Sequence, residues 1–148
     1  MRRVSPEIND LARRLLAQEA AGRCSPPALA EATERACQKL RQRIALLLGQ
    51  AGFHALLTRA LQLAAAEAPF LQGVRVDGEA AGPLPGLRES VAGRDRGEAA
   101  AGLAAVLASF IGLLTTFIGR NLGLRLVYEV WPELAPAPPG TGKEEAKE

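Results

Sequence analysis

The chain has 148 residues, with 18 basic and 16 acidic side chains and a formal charge of +2, which is the size of one domain. At 48% hydrophobic and 23% charged it is neither wholly disordered nor collagen-like, and its two cysteines are too few to staple a disulfide scaffold. Aromatics at 4% are too sparse for a platform that stacks single-stranded bases, and the abundance of Ala and Leu argues against a β-sandwich.

The first helix is expected from Ser5, whose hydroxyl can cap an orphan N–H, with Pro6 at the first helical position. Ile8, Leu11, Ala12, Leu15 and Leu16 form an apolar stripe at helical period, with Arg13, Arg14 and Glu19 placed outside it and Gly22 as the stop. The same start recurs at Ser25-Pro26-Pro27, where Leu29, Ala32, Ala36, Leu40, Ile44, Leu47 and Leu48 trace the buried face of a second helix ending at Gly49. After a short Gln50–Gly52 turn, a third helix is expected from about Phe53 to Ala68, with Phe53, Leu56, Leu57, Ala60, Leu61 and Ala64 inward and Pro69 as its stop. So short a turn between long helices favours an antiparallel hairpin.

Residues 70–97 carry six glycines with Pro83 and Pro85 and read as a long connection. A weak extended piece is expected at Val74–Val76, with one or two helical turns near Leu87–Val91. From Ala99 to Gly119 no residue is charged over 21 positions, and Leu103, Val106, Leu107, Phe110, Ile111, Leu113, Leu114, Phe117 and Ile118 surround the helix. That length suffices to cross a hydrocarbon core of about 30 Å. It equally suits the central helix of a bundle, covered on all sides by the three amphipathic helices that precede it. Arg94, Arg96 and Arg120 flank both ends, so no charge asymmetry selects a membrane orientation. The helix is expected to continue, or to break near Gly119, and to end at Trp131-Pro132. Trp131 should seal a bundle end. Residues 133–148 are rich in Pro, Gly and charge and read as a disordered tail.

The fold expected is therefore all-α: four principal helices in one domain over 1–132, with a hydrophobic central C-terminal helix. Arg outnumbers Lys fifteen to three, a bias of GC-rich genomes that suggests a bacterial source. The basic N-terminus lacks the apolar stretch of a secretory signal, so a cytoplasmic location is expected, with the inner membrane as the alternative.

Candidate chemistry is thin. Cys24 and Cys37 read as free thiols. His54, the sole histidine, has no partners at metal-ligand spacing and no nucleophile elbow beside it, so neither catalysis nor a cofactor is expected. Gly93–Gly97 precedes a helix without a Walker pattern. The better candidates are basic. Arg35, Lys39 and Arg43 fall at i, i+4 and i+8 within residues 1–60, which hold ten basic and five acidic side chains. Such a stripe, placed opposite the Ala36–Leu40–Ile44 face, can engage an acidic partner or remain a solvated helix face. Exchanging all three for Glu should then abolish binding without unfolding the chain. Arg120, Asn121 and Arg125 form a second candidate contact beyond the apolar run. The expected function is a small non-enzymatic interaction or regulatory module, binding a protein or a second copy rather than nucleic acid. The alternative is a membrane-associated protein that inserts 99–119.

Two stretches, Gly52-Phe-His-Ala-Leu-Leu-Thr-Arg-Ala60 and Leu114-Thr-Thr-Phe-Ile-Gly-Arg-Asn-Leu-Gly-Leu-Arg-Leu126 followed by Trp131-Pro132, resemble small bacterial all-α proteins of unknown function. In that pattern an acidic residue often follows Phe-Ile-Gly, where Arg120 stands in this chain. The resemblance implies a shared final helix with a Trp-Pro end, and no activity.

Overall fold

A computed structural model describes residues 5–74, 84 and 86–135, and the described chain is all-α. Helix α1 spans Pro6–Ala20, with Ser5 accepting from Ile8 N at 3.3 Å. Helix α2 spans Pro26–Glu67, capped by Ser25 and broken at Gly49 into arms over 26–48 and 50–67. A 3₁₀ turn, Pro69–Gly73, follows as Pro69 stops the helix, and the expected turns near residue 87 form a short α3, Leu87–Val91. Helix α4 spans Arg96–Ile118, capped by the Asp95 carboxylate, and α5 spans Arg120–Val130. The expected extended piece at Val74–Val76 lies mostly outside the described residues, as does the tail from residue 136.

Helix α4 is the core. It packs against α1, α2 and α5, and Leu103, Val106, Leu107, Phe110, Ile111 and Leu114 are all but inaccessible. The stripes of α1 and both arms of α2 close on it, with Phe53 tilted against the Phe110 ring at 5.5 Å. An apolar helix with three amphipathic neighbours gives each stripe a surface to bury.

Four sequence expectations need correction. Gln50–Gly52 is helical, because one residue makes the break: Gly49 adopts φ 80° and ψ 165°, a conformation that a Cβ disfavours. Leu47 and Phe117, expected inside, are 51% and 68% exposed, since each lies just before a break where its helix leaves the core. Glu19, placed outside the α1 stripe, is buried; it stands four residues after Leu15, on the same face. The packed chain also runs past 132: Pro132–Leu134 forms a 3₁₀ turn, Leu134 is buried, and Gln18 Nε2 donates to Glu133 Oε1 at 3.0 Å.

The second break, at Gly119 (φ 96°, ψ 149°), repeats the first. It folds α5 back on α4 so closely that a Cβ on Gly123 would stand 2.8 Å from Thr115 Cγ2 and 3.1 Å from Thr115 Cα. The obstruction includes backbone, which cannot rotate away. Gly123→Ala is therefore expected to cost about 1–3 kcal/mol by prising α5 from α4. A thermal midpoint equal to that of the parent chain would mean the corner is looser than this packing.

Candidate interaction surface

The ion pairs order the helices around the core. Glu19, near the end of α1, is a carboxylate with 5% side-chain exposure, and three donors converge on it. Lys39 Nζ bonds Oε2, Arg35 Nε donates to Oε1 at 3.3 Å, and the buried Trp131 Nε1 donates to Oε2 at 2.9 Å. Arg35 also donates through Nη2 to the Glu19 carbonyl oxygen at 2.6 Å. Burial raises the Glu19 pKa, but Lys39, Trp131 and Arg35 outweigh it and hold the carboxyl below its usual range. Further along, Arg43 Nη1 meets Glu129 at 2.8 Å, and Arg120 pairs with Glu7 at the opposite end of α1.

The sequence-predicted contact residues thus divide. Arg35 and Lys39 do not stand opposite the buried face; they border it and tie α1, α2 and Trp131 together. Arg43 ties α2 to α5, and Arg120 ties α5 to α1. Each of the four keeps about half of its side-chain surface in water, so charge still faces outward. Exchanging Arg35, Lys39 and Arg43 for Glu would set carboxylates against Glu19 and Glu129, so the fold would not survive that exchange unharmed. Asn121 and Arg125 are exposed on α5, and Trp131 seals the end as expected. Sequence reasoning missed the Glu19 anchor, although an acid on an apolar stripe was its visible signal.

The same ties place both helix breaks toward one end. Arg43 on α2 stands beside Glu129 on α5, and Lys39 shares Glu19 with Trp131, so the first arm of α2 runs antiparallel to α5. It reaches Gly49 in the direction of Gly119, where α1 also begins. Four large hydrophobic side chains are exposed among the described residues: Leu46 at 87%, Phe117 at 68%, Leu47 at 51% and Leu122 at 38%. All four sit within three residues of Gly49 or Gly119.

Other features of the surface are chemically quiet. Cys24 is exposed, while Cys37 is sealed in the core, where burial, reinforced by Glu34, pushes its thiol up to about 12. His54 is exposed beside a pocket of about 650 Å³ that Thr58, Leu61, Leu71 and Val74 also line. A groove of about 750 Å³ runs between α1, the second arm of α2 and α4, past Arg59, Ser109 and Thr116. Among the described residues no cluster of His, Cys, Asp and Glu has the makings of a metal site.

By length and composition, α2 and α4 are both apolar enough to cross a membrane, and just over half of the most apolar window of α4 is buried in the fold. No family model, curated protein or solved structure matches the chain.

Proposed function

We propose that the chain is a small interaction module that acts by docking rather than by catalysis, through the apolar end formed by the Gly49 and Gly119 corners. The observation that carries this reading is the placement of Leu46, Leu47, Phe117 and Leu122. Single exposed hydrophobics are ordinary on a protein surface, whereas a gathered set is a mark of contact. Here the set gathers at two corners of a bundle whose other apolar stripes are satisfied. Arg120, Asn121 and Arg125 lie beside the second corner, and Arg43 flanks the first, which gives the end a polar rim. The partner is then a surface that is apolar at its centre and negative around it.

Leu46→Glu combined with Phe117→Glu tests the reading in the native host. Both side chains are largely in water, so the double variant should fold with the midpoint of the parent chain. It is expected to accumulate normally and to reproduce the phenotype of a deletion, while His54→Ala restores the parent behaviour. Full function from the double variant would eliminate the docking end, and loss of function from His54→Ala in a stable chain would point to catalysis.

A further inference from the structure

We infer that this end docks on an anionic bilayer surface, with the Gly49 and Gly119 corners dipping into the headgroup region while α4 stays in the protein core. The inference rests on the docking reading above and names the occupant of that surface.

Between Glu34 and Glu67 the sequence has no acidic residue but holds Arg35, Lys39, Arg41, Arg43 and Arg59. Between Glu98 and Glu129 it again has none, and holds Arg120 and Arg125. Each corner therefore sits inside a stretch whose only formal charges are positive. Two acids meet the cations of this end, Glu7 on Arg120 and Glu129 on Arg43, yet each of those arginines keeps about half of its side chain in water, and Arg125 is exposed on α5. Large apolar side chains at the tip, with guanidinium groups behind them, are the arrangement by which a protein rests in the interface of an anionic membrane, its apolar groups about 5–10 Å deep.

The same pattern disfavours a second copy as the occupant. A two-fold contact sets the same patch on both partners, and Arg43, Arg120 and Arg125 are set against the two acids Glu129 and Glu7, so the surplus positive charge of one copy would face that of the other. The fold also limits the depth. Drawing α4 across the bilayer would strip α1 and α2 of the helix that buries Leu15, Leu40, Ile44 and Leu57. A shallow seat leaves that core intact. It also keeps the two breaks, where a helix end leaves backbone groups without an intrahelical partner, among headgroups and water instead of hydrocarbon.

The test uses the full chain and two vesicle preparations, phosphatidylcholine alone and phosphatidylcholine with phosphatidylglycerol. Sedimentation with the mixed vesicles is expected, at least about tenfold weaker on phosphatidylcholine alone, and falling as salt screens the rim. Leu46→Glu with Phe117→Glu should lower binding to the mixed vesicles by at least about tenfold, with an unchanged circular dichroism spectrum. A tryptophan introduced by Phe117→Trp should shift its emission to the blue on those vesicles and be quenched by lipids brominated near the headgroup, against the fixed background of buried Trp131. Equal binding by parent and double variant, or quenching only by lipids brominated at the bilayer centre, overturns the proposal. So does absence of binding. In that case a dimer in light scattering that the double variant splits would leave the docking end standing with a second copy as its occupant. A monomer bound to neither would end the membrane reading, and the docking end would then stand or fall on the behaviour of the double variant in the host.

Discussion

Leu107→Ala is expected to lower the free energy of unfolding by about 2–5 kcal/mol, at the upper end of what truncating one aliphatic side chain costs. Leu107 has no accessible surface and lies midway along α4, which packs against α1, α2 and α5. Removing its isobutyl end forfeits the transfer of those atoms from water and leaves a cavity that four rigid helices cannot collapse. The measurement is thermal or denaturant unfolding of the chain without detergent. A midpoint equal to the parent would mean that α4 is not packed among those helices in solution, and the membrane-spanning alternative would gain at its expense.

Glu19→Ala should cost about 2–4 kcal/mol at neutral pH, because the buried indole N–H of Trp131 loses its acceptor and Arg35 and Lys39 lose their anchor. Since both cations are half in water, the cost stays below that of a fully enclosed pair. The effect carries a pH signature. The folded carboxyl lies below its usual range, so its contribution is fully present above the unfolded pKa and is lost as pH falls through the folded one. The gap in stability between parent and Glu19→Ala should therefore shrink as the solution is acidified below the ordinary carboxylate range. A gap that held constant into strong acid would show that Glu19 acts by packing and not by charge.

Much of this architecture is legible in the residues themselves. Ser5-Pro6 and Ser25-Pro26 announce two helix starts, and an uncharged run with no polar side marks α4 as a helix needing cover. Trp131-Pro132 gives the last stop. What escapes the sequence is long-range. Periodicity says that Leu47 and Phe117 belong to apolar stretches, but not that each helix leaves the core a turn before it breaks. That depends on the Gly49 and Gly119 conformations and on the close approach of Gly123 to Thr115. The basic stripe of α2 is visible, whereas its acid, Glu19, stands on another helix, and only the fold brings them together. Asp95, the cap of α4, is masked in the sequence by the arginines on either side of it. The candidate surface is half legible: charge singles out Arg43, Arg120 and Arg125, while the leucines and the phenylalanine between them look like core residues.

Hydrogen exchange on the full chain, read by mass spectrometry with and without vesicles of phosphatidylcholine and phosphatidylglycerol, separates a buried α4 with two docking corners from an α4 that enters the bilayer. Without vesicles, amides over 103–114 should exchange slowest in the molecule, near the rate of global unfolding, and those around residues 46–50 and 117–122 should open early. With vesicles, protection should rise at the two corners and stay unchanged along 103–114. Fast exchange over 103–114 without vesicles, with protection appearing there only once lipid is added, would contradict the account and make α4 the membrane element.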